Sequence, residues 1–242
     1  MIRLNKYLSE AGVCSRREAD RLIEASLVTV DGKTAGVGMQ IQEGQLVKVK
    51  GKAVGPKGKT IILAVNKPRG IVCTEEKKEK NNIIRFLNFP ERITYIGRLD
   101  KDSEGLLLMT NNGDIINKMM RAGNLHEKEY EVVTDRPVTE KFLQGMASGV
   151  PILDTVTRPC KVTKMGKCGF RIILTQGLNR QIRRMCEYFD YKVITLKRTR
   201  IMNIELGKLK TGAYRYLSEE EIEELYRRIR NSSNEPVWDG RK

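Results

Sequence analysis

The 242 residues are enough for one ordinary domain plus a small one, and a hydrophobic content of 40% excludes a chain that is disordered throughout. Lys and Arg number 45 against 30 Asp and Glu, a formal charge of +15, which makes a polyanion or an anionic membrane surface the natural partner. No apolar run approaches the length that spans a bilayer, and the first residues, with Arg3 and Lys6 inside a helical pattern, lack a secretory apolar segment; a soluble cytoplasmic protein is expected.

Leu4, Tyr7, Leu8 and Ala11 fall at i, i+3, i+4 and i+7, one face of a helix that Gly12 can end. Ser15-Arg-Arg-Glu18 has the spacing of a reciprocal capping box opening a second helix, whose apolar face continues through Ala19, Leu22 and Ile23. Arg16, Arg17 and Arg21 point elsewhere, with Arg3 and Lys6. Leu27 to Val30, the Asp31-Gly32 turn and the alternating Leu46 to Lys50 read as strands. A solvated charged helix face is the plain reading of the arginines. Cations at a helix N-terminus oppose the helix dipole, however, so an anion is expected beside Arg16 and Arg17. This compact basic module resembles the S4 RNA-binding domain, whose arginines after a serine cap match Ser15, Arg16 and Arg17; with the neighbouring Arg3, Lys6 and Arg21 they are expected to contact RNA.

Gly51 to Lys59 is rich in glycine and lysine and reads as a linker, which divides the chain into domains at 1–55 and 60–230, with a polar tail at 231–242. The second domain opens with a strand at Thr60 to Val65, a turn at Asn66-Lys-Pro-Arg-Gly70, a strand at Ile71 to Thr74, and a charged loop at Glu75 to Lys80. Leu106 to Met109, four apolar residues between Gly105 and the Asn112-Gly113 turn, suit a fully buried strand. Ile115, Ile116, Met119 and Met120 suit a helix face. Glu129 to Val133 and Phe170 to Leu174 suit strands, and Ile182, Met185, Cys186 and Phe189 mark an amphipathic helix capped by Asn179, with Arg180, Arg183 and Arg184 crowding its first turn.

Cys14, Cys73, Cys160, Cys168 and Cys186 contain no Cys-x-x-Cys pair and the only histidine is His126, so neither a structural zinc site nor a disulfide framework is expected; the thiols read as reduced and mostly buried. His126 has no neighbouring nucleophile and reads as structural or exposed. Asp100, Asp102 and Glu104 stand just ahead of the buried strand, in a loop rigid enough to place a reactive group, although Asp100 after Arg98 also reads as a plain surface ion pair.

Gly97-Arg-Leu-Asp100 followed by Ser103-Glu-Gly-Leu-Leu-Leu-Met-Thr-Asn-Asn-Gly113 resembles the catalytic signature of the RsuA/RluF-type bacterial pseudouridine synthases. With Lys128-Glu-Tyr130 and Leu178-Asn-Arg-Gln-Ile-Arg-Arg-Met185, the resemblance covers about residues 1 to 228. It implies an α+β protein, the S4-like module followed by a catalytic domain with a mixed, mainly antiparallel sheet flanked by helices. It implies Asp100 as the essential aspartate, Arg183 as its partner and Tyr130 as the ring over the target base; Arg180 and Arg184, cations at a helix start, and Arg98 are expected on RNA. The Arg198-Thr-Arg-Ile-Met-Asn203 stretch is most similar to the RluF subgroup, which implies a uridine in large-subunit rRNA and leaves tRNA open as a further substrate. No cofactor or metal is implied, and a monomer is expected. Two other readings stay open at this point: a synthase for small-subunit rRNA, and a non-catalytic S4-type RNA-binding or ribosome-assembly factor. A generic phosphate-handling enzyme is disfavoured by the lack of a Walker-type loop or carboxylate cluster. Whether Asp100 forms a covalent adduct or the reaction runs through a glycal is not fixed by sequence.

Overall fold

Leu4 and Leu8 lie one helical turn apart, as do Ala19 and Ile23, and both pairs turn two short helices toward one apolar cluster. The computed structural model describes residues 1–55, 58–76, 78–120 and 125–232. It divides into two units: Met1–Ile61 with Phe89–Thr94 and Asn111–Gly113, and the rest of the described chain. Residues 56 and 57 of the expected linker and 233–242 of the expected tail lie outside the described residues.

The first unit contains β1 (Ile2–Arg3), α1 (Leu4–Glu10), α2 (Arg16–Glu24), β2 (Val28–Val30), β3 (Lys33–Thr34), β4 (Gln40–Ile41), β5 (Val47–Val49) and β6 (Lys52–Ala53). β1 pairs with β4, and β3-β2-β5-β6 form an antiparallel sheet. Asp31 and Gly32 both take positive φ, the requirement of the tight turn between β2 and β3. Ser15 caps α2 through its hydroxyl, which accepts from the amide of Glu18 at 3.2 Å. The reciprocal half of the expected box is replaced, because the Glu18 carboxylate pairs with Arg21 at 3.3 Å. A complete capping box stands instead at Ser218 and Glu221 near the other end of the chain.

The second unit follows as β7 (Ile62–Lys67), α3 (Ile83–Leu87), β8 (Thr94–Ile96), β9 (Glu104–Thr110), α4 (Gly113–Met120), β10 (Lys128–Thr134), α5 (Glu140–Ser148), β11 (Pro151–Ile152), β12 (Thr155–Val156), β13 (Lys161–Met165), β14 (Gly169–Leu174), α6 (Gln181–Tyr188), β15 (Val193–Ile201), β16 (Ile204–Glu205), β17 (Tyr214–Tyr216) and α7 (Glu219–Ile229). The large sheet runs β13-β14-β10-β15-β9-β7-β17, with β8 on β9 and β16 on β15. β13–β14, β14–β10, β10–β15, β15–β16, β9–β7 and β7–β17 are antiparallel and β9–β15 is parallel, so the sheet is mixed and mainly antiparallel as expected. Leu106, Leu107, Leu108 and Met109 are all fully buried, which accounts for the unbroken apolar run. One apolar cluster joins Leu106 and Leu108 to Ile115 and Met119 of α4 and Leu225 and Ile229 of α7; another joins Val132, Phe170 and Leu196 to Phe142 of α5 and to Ile182 and Met185 of α6.

Three local expectations are corrected. Asn66 and Lys67 belong to β7, paired with Leu106 and Gly105, so the expected turn begins only at Pro68. Ile71 to Thr74 form no strand; Val72 alone bridges to Asn82. Gly113 starts α4 rather than closing a turn.

The β9–β15 contact is only two residue pairs long, Glu104 with Lys197 and Gly105 with Arg198. Gly105 has φ +102°, and a Cβ there would stand 2.3 Å from the backbone oxygen of Arg198. Neither the backbone angle nor the space accepts a side chain. Gly105→Ala is therefore expected to destabilise the protein by about 2–5 kcal/mol, combining backbone strain with overpacking. Urea unfolding measures this; a loss under about 1 kcal/mol would show that the two strands separate easily.

Candidate active site

The loop from Arg98 to Ser103 joins β8 to β9, and its backbone is held from several sides. Leu99 donates its amide to the Cys73 sulfur at 3.5 Å, Gly70 donates to the Lys101 carbonyl at 2.8 Å, and Ser103 donates to the Asp100 carbonyl at 3.1 Å. Burial pushes the Cys73 thiol up, so it serves as a packed acceptor rather than a nucleophile. Two arginines complete the frame. Arg183, 8% exposed, donates Nη2 to the Asp102 carbonyl at 3.2 Å and to Ser103 Oγ at 3.4 Å, and Nη1 to the Val193 carbonyl at 3.3 Å. Arg198, 2% exposed, donates Nε to the Leu106 carbonyl at 2.7 Å and Nη1 to the Arg98 carbonyl at 3.4 Å.

The Asp100 carboxylate is half-buried and pairs with Arg180 Nη1 at 3.7 Å. Arg183, the expected partner of Asp100, hydrogen-bonds the loop backbone and a hydroxyl and feels the Asp100 carboxylate through space. Arg180 itself is the N-cap of α6, at φ +49° and without a side-chain cap, so Asn179 is not the cap. Asn179 instead accepts from Arg184 through its carbonyl at 3.1 Å and its Oδ1 at 3.3 Å, which engages Arg184 locally.

Asp100 and Tyr130 line one cleft of about 560 Å³, whose wall also includes the segment from Leu174 to Arg183 and residues Lys128, Leu196 and Arg198. That volume suits a nucleoside-sized ligand. Tyr130 lies in β10 opposite Arg198, just past a register shift in the pairing with β15. Among the described lining residues Asp100 is the only carboxylate, against Arg98, Lys101, Lys128, Arg180, Arg183 and Arg198. Arg183 Nε and Arg198 Nη2 are buried without a hydrogen-bond partner among the described residues.

Lys128 and Arg198 were not singled out as site residues from sequence. Alternation along β10 could have found Lys128, two positions from Tyr130 and so on the same face. Among the described residues Lys128 Nζ reaches the His126 carbonyl alone, at 3.4 Å, and burial together with the nearby Arg198 pulls its ammonium down to about 8.

The remaining basic residues divide by exposure. Arg3, Arg16 and Arg17 are exposed, and Ser15 Oγ is engaged in its cap. Arg21 pairs with Glu18, and Lys6 with Glu10 at 3.6 Å. Arg98 and Arg180 are exposed and line the cleft. No helix among the described residues is long and apolar enough to cross a membrane.

Lys128 sets a pH dependence. An unfolded lysine titrates near 10.5, so between about pH 8 and 10.5 the unfolded chain holds more protons than the folded one and stability rises with pH through that window. Below pH 8 both states are protonated and the whole desolvation cost is present. Lys128→Met is therefore expected to raise the urea midpoint more at pH 7 than at about pH 10. Equal shifts at both pH values would show that Lys128 titrates normally.

The sequence matches the family model for RNA pseudouridylate synthases over residues 61–188 and that for the S4 domain over residues 2–47. It is 54% identical over 236 residues to the dual-specificity RNA pseudouridine synthase RluF of Escherichia coli strain K12, covering 97% of this chain and 81% of that protein. It is 32% identical over 234 residues to the ribosomal large subunit pseudouridine synthase B of Bacillus subtilis, covering 93% and 96%. A crystal structure of a pseudouridylate synthase superposes with a TM-score of 0.69 at 27% identity, covering 93% of this chain and all of that one. With that fold, those two matched segments and the relatives at this identity, the chain belongs to the RNA pseudouridylate synthase family.

Proposed function

We propose that this RNA pseudouridine synthase isomerises a uridine of large-subunit rRNA and also accepts tRNA, with Asp100 acting at the ribose C1′ carbon. The observation that carries the site assignment is the cleft's charge pattern, one carboxylate on a braced loop among six cations. Large-subunit rRNA rests on the relative named for the large ribosomal subunit, and a second RNA substrate on the 54% identity to a relative named as dual-specificity; tRNA is our choice for that second substrate.

The reaction breaks the C1′–N1 bond, turns the uracil, and joins C1′ to C5; the proton lost from C5 is balanced by one gained at N1. As the glycosidic bond breaks, C1′ develops positive charge, which the Asp100 carboxylate answers as a nucleophile or as a counter-charge. Arg180 and Arg183 keep positive charge beside it while the base is in transit. Tyr130 packs against the uracil, and the buried wall of the cleft keeps water from the activated sugar. A uridine in a duplex is out of reach, so the substrate is a loop nucleotide or one turned out of its stack. The exposed Arg98 and Lys101 of the cleft are the donors for the bound nucleotide's phosphates.

Residues 1–55 serve as the RNA-recruiting module and 60–230 as the catalytic domain of a cytoplasmic monomer; the five free cysteines suit a reducing compartment. In the recruiting module the exposed Arg16 and Arg17 at the start of α2 are the contacts for phosphate, joined by Arg3, Lys6 and Arg21.

Two outcomes test this reading. Asp100→Asn keeps the shape and loses the charge, so isomerisation should fall by on the order of 10³-fold or more while RNA affinity stays within a few-fold; turnover near that of the unaltered protein would remove Asp100 from the chemistry. Replacing Arg16 and Arg17 together by Ala should lower the slope of log affinity against log salt by roughly 1.5, the contribution of two phosphate contacts. An unchanged slope would place the RNA elsewhere.

A further inference from the structure

We infer that Arg198 is a positioning residue for the isomerisation, clamping both ends of the Arg98–Leu106 segment with one guanidinium while its backbone registers that segment with Tyr130. The inference rests on the reading that Asp100 acts from this segment.

Three strands meet in one row, with Tyr130 of β10 opposite Arg198 of β15 and Arg198 opposite Gly105 of β9. The parallel ladder between β9 and β15 ends at Gly105. At the next residue the side chain takes over from the main chain, Arg198 Nε holding the Leu106 carbonyl at 2.7 Å. The same planar group reaches back to the Arg98 carbonyl at 3.4 Å, at the opposite end of the loop. Because the guanidinium is rigid, the spacing between Arg98 and Leu106 is set by covalent geometry rather than by loop conformation. Asp100 lies between those two anchor points.

The other side of the row is equally specific. Glu129 pairs with Arg200 and Tyr130 with Arg198, which leaves Thr199 as an extra residue in β15. Such a bulge re-aims the neighbouring side chains, and here it falls beside Tyr130. One residue therefore fixes the position of the loop carrying Asp100 and of the strand carrying Tyr130.

A simple packing role does not account for a guanidinium at this place. Arg198 is 2% exposed, forms no ion pair among the described residues, and leaves Nη2 without a partner. Burying a charge in this way costs stability, and an apolar side chain would join two strands at less expense. The fork accomplishes what an apolar group cannot, holding two carbonyls at a fixed separation.

The test compares Arg198→Lys and Arg198→Gln with the unaltered full-length protein in single-turnover pseudouridine formation across RNA concentrations. Lysine keeps the charge and can reach one carbonyl but not both. The rate at saturating RNA is expected to fall about 10- to 100-fold, the effect of a small misplacement of reacting groups, with the half-saturating RNA concentration within about threefold. Hydrogen exchange should quicken at the amides of Leu99 and Ser103 and stay unchanged at Leu107 to Met109. An unaltered rate at saturation would overturn the inference, as would a loss confined to half-saturation, which would make Arg198 an RNA contact. Exchange quickening all along β9, or failure of both variants to fold, would make Arg198 a structural requirement of the sheet and would equally overturn it. If the unaltered protein itself formed no pseudouridine, the proposed activity would fail rather than the role of Arg198.

Discussion

The close approach of β9 to β15 at Gly105 and Arg198 is the constraint on which the rest of the catalytic unit depends. In the strand order it is the link between β9, β7 and β17 on one side and β15, β10, β14 and β13 on the other, and it is only two pairs long. The cleft opens at this seam. One side supplies the loop that carries Asp100, and the other supplies Tyr130, Lys128 and the start of α6. A ladder of two pairs cannot fix such a seam through backbone hydrogen bonds alone, because each contributes only about 1 kcal/mol net. The glycine removes the steric obstacle, and the arginine side chain extends the junction beyond the last main-chain pair.

The electrostatics of the cleft follow from the same economy of counter-charges. Six cations face one carboxylate among the described lining residues, and two of the arginines keep a buried donor without a partner. A protein selected for stability alone would have paired or neutralised them. The arrangement is coherent once a polyanion is the missing partner, since phosphates can balance the exposed cations Arg98, Lys101 and Arg180. Lys128 shows how far the free protein is from that balance: its ammonium is already pulled down to about 8 by burial, with Arg198 adding to the effect.

Much of this was legible in the sequence where periodicity and local chemistry agree. The apolar run Leu106 to Met109 read as a buried strand because burial on both faces leaves no polar position, and Ser15 read as a cap because a hydroxyl three residues before a free amide has one use. The misses have physical causes. Asn66 and Lys67 carry polar side chains ahead of Pro68 and so resemble a turn, yet Asn66 Nδ2 finds the Leu209 carbonyl at 2.8 Å and Lys67 Nζ finds that of Pro68 at 2.8 Å, partners remote or invisible in a linear reading. Helix α5 was overlooked in part because Gly145 weakens its pattern; the glycine is there since a Cβ would stand 2.5 Å from the Phe189 ring. Ile71 to Thr74 had strand-like composition but pair with no strand among the described residues, which composition cannot reveal.

The arginines show most clearly what a sequence can and cannot assign. Arg180, Arg183 and Arg198 are chemically identical, and the resemblance could rank them only by motif position. In the fold they face three different acceptors: the Asp100 carboxylate, the middle of the loop at Asp102 and Ser103, and its two ends at Arg98 and Leu106. Exposure separates them as well, since Arg180 is open to solvent whereas Arg183 and Arg198 are buried. A partly exposed ion pair such as that of Arg180 contributes little to stability and can exchange its carboxylate for a phosphate at small cost. A buried fork on backbone carbonyls cannot exchange, because leaving those carbonyls unpaired would cost about 1–3 kcal/mol each. The same residue type is thus divided by depth: the exposed guanidinium sits in an exchangeable ion pair, and the buried ones are fixed on backbone carbonyls.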